Sequence, residues 1–299
     1  MPTPPASPAP LAGLSAIASS YDVILSDIWG VMHNGKAAFA DACAALTRFR
    51  KGGGTVVLIT NAPRPNAPVL EQLALLKVPQ GAFEDIVTSG DVTLELIAAH
   101  GAAPVHHIGP KRDLSLFDTL ARMPGRTRPP LTPLRDAEYV VVTGLFNDFI
   151  ETPADYVPAL TEMRARNLPM ICANPDIVVH VGAKLLYCAG AIAQRYAEMG
   201  GAPVCAGKPF APIYERALAL AGAHRGGPAA KARVLAIGDA LATDIAGAAA
   251  QGIDALMITE GIHRDELHGE GAFDEGAFAR LAAEATLKPP RWRMRSLAW

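Results

Sequence analysis

The chain has 299 residues, half of them hydrophobic, and its 27 basic and 29 acidic side chains leave a formal charge of −2. That apolar content excludes global disorder, and the near balance of charge argues against the basic face of a dedicated nucleic-acid binder. No apolar run approaches the roughly 20 residues that cross a bilayer, so no membrane partner is expected. Residues 1–20 are rich in Pro, Ala and Ser, with prolines at 2, 4, 5, 8 and 10 and no Lys or Arg. They read as a flexible tail, not a secretory signal. Residues 22–26 (DVILS) read as a buried strand that ends at Asp27, and residues 38–51 have the apolar spacing of a helix. Residues 55–60 (TVVLIT) form the next strand, 66–77 a helix, 86–88 a strand and 91–100 a helix. This alternation predicts a parallel sheet covered on both faces.

The middle of the chain differs. Residues 105–109, 139–144 and 170–173 are strand-like, with a Pro/Arg-rich connection at 123–135 and helices at 154–167 and 184–199. From residue 204 the first pattern returns, with a helix at 212–221, a strand at 234–238 (VLAIG), a helix at 244–251 and a strand at 255–258. The expected organisation is a core of residues 21–103 plus 205–299, interrupted by an inserted domain at 104–204. The last stretch, 288–299, reads as an amphipathic strap on the core. Cys43, Cys172, Cys188 and Cys205 contain no CxxC pair. Sparse cysteines of this kind are expected to be reduced thiols in a cytoplasmic protein.

Several polar residues fall just past strands, where open parallel sheets bind ligands. Asp27 follows the first strand, Thr60 and Asn61 the second, and Asp239 follows VLAIG. Lys208 precedes a helix, and Asp244 opens another. Asp27 and Asp239 could share a hard divalent cation such as Mg²⁺, and a carboxylate could also be a nucleophile. A Thr hydroxyl, an Asn amide and a Lys ammonium suit phosphoryl oxygens. Asp244 could hold Lys208 or a metal-bound water.

In this order DIWGV (27–31), LITNAP (58–63), GKP (207–209) and GDALATD (238–244) resemble the four motifs of the haloacid dehalogenase (HAD) superfamily. The long insertion between the second and third motifs is similar to that of the subfamily IIA hydrolases, which include p-nitrophenyl phosphatases and NagD-like nucleotidases. CANPD (172–176) resembles the substrate loop of their cap domain, and Thr88-Ser89-Gly90 also fits. The resemblance implies a Rossmann-like α/β core with an inserted α/β cap of the C2 type. It implies a Mg²⁺-dependent phosphatase acting on a small phosphorylated metabolite through an aspartyl-phosphate. Asp27 would be the nucleophile and a metal ligand, together with Asp239 and the backbone carbonyl of Trp29. Thr60 and Asn61 would bind the phosphoryl group, Lys208 would neutralise it, and Asp244 would support the metal. Asn174 and Asp176 would approach substrate from the cap, and His180, a few residues on, suits substrate contact. A homodimer built through the cap fits the same analogy.

Trp29 departs from the pattern. The family has a second Asp there, whose carboxyl protonates the leaving group and later activates water, and an indole does neither. General acid–base catalysis contributes roughly 10²–10⁴-fold. Turnover is then slow, or another group substitutes, or the leaving group needs no proton. His33 is the nearest alternative in sequence. Trp29 also motivates a different class of function, a phosphate-ligand binding or regulatory protein without turnover. A dehalogenase, with an aromatic residue at this position, fits less well because Asp239 is present. Gly52-Gly53-Gly54 precedes a strand, so it is not a dinucleotide-binding turn.

Overall fold

Aliphatic runs too short for helices become fully buried strands here, as parallel sheets covered on both faces require. A computed structural model of the chain describes residues 7–181, 184–269, 271–285 and 288–299. Its first strands are β1 (Ala9–Pro10), β2 (Val23–Ser26), β3 (Thr55–Thr60) and β4 (Asp85–Thr88). They are followed by β5 (Val105–Ile108), β6 (Tyr139–Val142), β7 (Met170–Cys172), β8 (Val178–Val181) and β9 (Lys184–Tyr187). The last are β10 (Pro203–Cys205), β11 (Val234–Gly238), β12 (Asp254–Ile258) and β13 (Trp292–Met294). No described helix is long and apolar enough to cross a membrane.

The chain divides into two units. The core unit comprises Met1–Thr60, Leu70–Val87 and Lys208–Trp299, and the inserted unit comprises Asn61–Val69 and Thr88–Gly207. The core unit is built on a seven-stranded sheet of order β1-β13-β12-β11-β2-β3-β4. The pairs from β1 through to β3 are parallel. Val23, Ile24, Leu25, Val56, Val57, Val234 and Leu235 have no exposed surface. From β2 the chain runs outward through β3 and β4, and later returns at β11 to run outward on the other side. The connections after β2 and β11 therefore leave in opposite directions. That is the switch point where such sheets open a crevice at their carboxyl ends.

A tail is expected from sequence over residues 1–20; residues 1–6 lie outside the described residues, and residues 9–20 are a correction to it. Ala9–Pro10 extends the sheet edge, with Ala9 N donating to Arg291 O at 3.1 Å and Leu11 N to Arg293 O at 2.9 Å. Pro10 has no N–H, but an edge strand leaves one side unpaired, so the proline is tolerated. Leu14 is fully buried and Ile17 nearly so.

The inserted unit has a parallel four-stranded sheet of order β10-β7-β6-β5 and a separate antiparallel pair, β8 and β9. Strand alternation serves two cores. Val140 and Val142 pack with Met163, Ile192 and Tyr196, whereas Tyr139 and Val141 pack with Leu94, Ile97, Phe117 and Leu120. Beyond Asn61–Val69, the unit thus runs from Thr88 and not from residue 104, because the helix Ser89–Ala99 contributes Leu94 and Ile97 to this second core. The helix expected over 184–199 is also shorter. Lys184–Tyr187 is β9, paired with β8, and the helix is Ala189–Glu198. Cys188 is extended (φ −109°, ψ 176°) and separates the two. A short apolar run fits strand or helix equally, and a partner strand decides it.

Tyr139 yields a testable expectation. Its ring stacks on His100 at 4.1 Å, its hydroxyl is buried, and among the described residues that hydroxyl has no hydrogen-bond partner. Burial pushes its pKa up to about 12. An unsatisfied buried hydroxyl costs roughly 1–3 kcal/mol. Tyr139→Phe is therefore expected to raise the melting temperature by about 2–4 °C, measured by calorimetry. A drop of that size would mean the hydroxyl is satisfied.

Candidate active site

The core unit gathers four of the expected residues at its switch point. Asp27 directly follows β2, and its backbone N–H donates to Ile237 O of β11 at 2.8 Å. Asp239 directly follows β11. Asp244 lies in a π-helical turn, Leu241–Ile245, a geometry frequent at functional sites. Lys208 lies just before the helix Ala211–Arg225. Its Nζ donates to Asp27 Oδ1 at 2.5 Å and to Asp244 Oδ1 at 2.7 Å. Asp244 Oδ2 accepts Ala240 N–H at 3.1 Å, and Asp239 Oδ2 accepts Ile262 N–H at 2.8 Å. Thr60 ends β3 in the same unit.

The electrostatics of this cluster are unbalanced. Asp27, Lys208, Asp239 and Asp244 are all buried, so one lysine faces three carboxylates. Burial pushes the Asp27 carboxyl well above the usual carboxylate range, against the pull of Lys208. Burial, and then the neighbouring Asp244, push Asp239 up to about 7. Burial opposes the charge of Lys208, but Asp244 and Asp27 outweigh it and hold its pKa above the ordinary value. One oxygen from each of Asp27, Asp239 and Asp244 lies within 4.8 Å of the others. An all-oxygen set with a surplus of negative charge fits a hard divalent cation such as Mg²⁺.

Glycines that the motif reading passed over hold this geometry. Gly30 has φ +80°, and a Cβ there would stand 2.1 Å from Asp239 Oδ2. A Cβ at Gly261 would stand equally close to the same oxygen, and one at Gly238 would meet the Asp244 carboxyl at 2.1 Å. The acids are wrapped by bare backbone. Gly30 and Gly238 lie inside the first and fourth motifs, whereas Gly261 lies in none of them. Gly30→Ala would strain the backbone and displace Asp239, so activity is expected to fall about 100-fold or more, as for a displaced catalytic group. Steady-state kinetics on the folded variant checks it.

Trp29 lies between Asp27 and Gly30 but is 54% exposed. Its ring packs back on its own loop, edge-on to His33 at 5.3 Å. A Cβ at Gly35 would meet its Cη2 at 2.4 Å. His33 is buried, its Nδ1 accepts Gly35 N–H at 3.0 Å, and burial lowers its pKa. It is a neutral loop brace in this structure.

The inserted unit holds the other expected residues. Asn61 Nδ2 donates to Asp176 Oδ1 at 2.8 Å. Asn174 Oδ1 accepts Asp176 N–H at 3.0 Å, which fixes the CANPD loop as an Asx turn. Thr88-Ser89-Gly90 positions both loops. Ser89 Oγ donates to Ala173 O at 2.5 Å, and Gly90 N donates to Ala62 O at 3.1 Å. Gly90 touches the Arg64 backbone where a Cβ would come within 2.3 Å. Gly190 supports the other side of the loop, since a Cβ there would meet Pro175 O at 2.1 Å. His180 is paired through its backbone in β8, and its side chain lies outside the described residues.

The haloacid dehalogenase-like hydrolase family matches residues 24–120, and a family described as HAD-hydrolase-like matches residues 205–282. A solved structure of a haloacid dehalogenase-like hydrolase from Brucella suis 1330 is 43% identical, with a TM-score of 0.79. The match covers 95% of this chain and 98% of that one. The D-glycerol 3-phosphate phosphatase of Mycobacterium tuberculosis is 29% identical over 253 residues, 84% of this chain. The chain spans 66% of that relative's length. The structure of a glycerol phosphate phosphatase from Mycobacterium tuberculosis in complex with magnesium is 27% identical, with a TM-score of 0.62. It is matched over 85% of this chain and 73% of its own.

Proposed function

The chain belongs to the haloacid dehalogenase-like family of hydrolases, and we propose that it is a Mg²⁺-dependent phosphatase acting on a small phosphorylated metabolite through Asp27. The observation that carries this reading is the buried Asp27–Lys208–Asp244 bridge beside Asp239. The phosphatases among the relatives support it, as does the magnesium in one of them.

Asp27 is the nucleophile. Its carboxylate oxygen forms a bond to phosphorus as the bond to the leaving oxygen breaks, which gives an aspartyl-phosphate. Lys208, held by Asp244, offsets the charge on Asp27 and on the phosphoryl oxygens. Thr60 and Asn61 bind those oxygens. Asp27, Asp239 and the Trp29 carbonyl would hold Mg²⁺, which when bound supplies Lewis-acid charge to the phosphoryl group. Water then attacks phosphorus, releasing phosphate and restoring Asp27. Trp29 donates no proton in either step. Alkoxides must therefore take theirs from elsewhere, and phenolate-like leaving groups react faster.

The test is phosphate release from a panel of esters, with Mg²⁺ and with EDTA. Release that EDTA abolishes is expected, with aryl esters turned over faster than alkyl ones by about 10²–10⁴-fold, the weight of a general acid. No release from any ester would sink the phosphatase. Trp29 favours one second reading, a binding or regulatory protein that becomes phosphorylated but does not turn over. Turnover near the enzyme median of roughly 10 s⁻¹ would exclude it.

A further inference from the structure

Cys172 and Cys205 are far apart in the chain and no CxxC motif joins them, but the parallel pairing of β7 with β10 makes them direct neighbours in register. Adjacent strands lie roughly 4.7–4.9 Å apart, inside the roughly 4.4–6.8 Å between Cα atoms that a disulfide spans. Both side chains enter the same face of the sheet, because both belong to the core that contains Val140, Ile192 and Tyr196. The ladder holds the backbone around them, and just past the pair Ala206 N donates to Cys172 O at 3.0 Å. Both residues lie in the inserted unit, so the pair is complete within it.

The two thiols are not equivalent. The Cys172 S–H, shared with Cys205, raises the pKa of Cys172 and lowers that of Cys205. Burial raises the other two cysteines, Cys43 and Cys188, the latter to about 12. The thiolate is the form that reacts with oxidants, so Cys205 is the most reactive of the four. It stands on the edge strand of the inserted sheet and keeps 8% of its surface exposed, whereas Cys172, one strand further in, has none. An accessible acidic thiol backed by a second sulfur is the arrangement of an attacking and a resolving cysteine. Cys172 has a further contact. It opens the CANPD loop, and its Sγ donates to Asn174 O at 3.3 Å. A disulfide carries no S–H, so forming one takes the donor from that carbonyl.

We propose that Cys172 and Cys205 are an oxidation site, which hydrogen peroxide converts to a disulfide that releases the CANPD loop from Cys172. The Cys205 thiolate attacks one peroxide oxygen, and its S–O bond forms as the O–O bond breaks. The departing hydroxide takes up the proton that Cys205 has lost and becomes water. The Cys172 sulfur then attacks the Cys205 sulfur. The S–S bond forms as the S–O bond breaks, and the hydroxyl leaves as water with the Cys172 proton. Two thiols lose two electrons and two protons, and one peroxide is reduced to two waters. The disulfide stands by itself, and its effect on turnover rests on the phosphatase reading.

The test treats the full chain with hydrogen peroxide, blocks the remaining thiols with N-ethylmaleimide and digests the protein without reductant. Mass spectrometry is expected to find two peptides linked through Cys172 and Cys205, and dithiothreitol should separate them. In Cys172→Ala the reaction should stop at the sulfenic acid, so dimedone labels Cys205; in Cys205→Ala, Cys172 should stay unlabelled. With an aryl phosphate and Mg²⁺, the linked protein is expected to show KM raised about 3- to 10-fold, the weight of one hydrogen bond, with kcat within about twofold. Dithiothreitol should restore KM, and Cys205→Ala should keep its KM through the same treatment. Thiols consumed in full without that linked pair, or a linkage through Cys188 in its place, would overturn the proposal. So would a linked protein with unchanged KM. The linked pair found in a protein that releases no phosphate from any ester would refute the phosphatase reading and leave the oxidation site standing.

Discussion

Asp27→Asn is expected to reduce phosphate release by about 10⁴-fold or more, because it removes the proposed nucleophile while keeping the shape of the side chain. The same substitution is expected not to lower the melting temperature of the metal-free protein. Asp27 is buried beside two other carboxylates, and its charge is opposed by burial more than it is helped by Lys208. An amide removes that like charge, and Lys208 retains Asp244 as its partner. Mg²⁺ should then raise the melting temperature of wild type and leave the variant nearly unmoved, since a ligand stabilises only the state that binds it. Differential scanning calorimetry with and without MgCl₂ measures this. An inactive variant that also melts well below wild type would make Asp27 a structural residue.

Lys208→Met carries the second large effect, and there stability falls together with activity. The lysine is the charge partner of both Asp27 and Asp244, all three being buried. Removing one member of a buried ion-paired group typically costs about 3–5 kcal/mol, because the remaining charge is left uncompensated. For a chain of this size that corresponds to roughly a 10 °C drop in melting temperature. Adding Asp27→Asn to Lys208→Met should restore part of the loss, since two residues in contact do not act additively. Thermal melts of the two single variants and the double variant form the cycle. Strict additivity would show that the Asp27–Lys208 contact contributes nothing.

Much of this site was legible in the sequence because its signals are local. DVILS and VLAIG are short aliphatic runs, each followed at once by an acid, and the structure makes them β2 and β11 with Asp27 and Asp239 at their ends. Lys208 and Asp244 stand at helix starts, and the fold brings them to the same crevice. What was not legible depends on partners distant in the chain. Gly30 and Gly261 must lack side chains because Asp239 lies against both, a demand invisible in either segment alone. Lys184–Tyr187 has apolar spacing that suits a helix, and only pairing with Val178–Val181 makes it a strand. Pro10 looked like a mark of a solvated tail, but the edge offered by Trp292–Met294 has room for a residue without an N–H. The departure at Trp29 was plain from the motif. That its ring would lie over Gly35, braced by a neutral His33, needed the three-dimensional loop.

The aspartyl-phosphate is the centre of the account, and it can be trapped. With no acid or base at position 29, the proposed intermediate is expected to hydrolyse slowly, so it should accumulate during turnover of an aryl phosphate. Borohydride added at that moment delivers hydride to the acyl carbon of the mixed anhydride. Phosphate leaves to give the aldehyde, and a second hydride with a proton from water reduces that to the alcohol of homoserine. Peptide mass spectrometry should then find homoserine at position 27, only when both ester and Mg²⁺ were present. Phosphate released in full with Asp27 unreduced, or homoserine formed at another aspartate, would contradict Asp27 as the nucleophile.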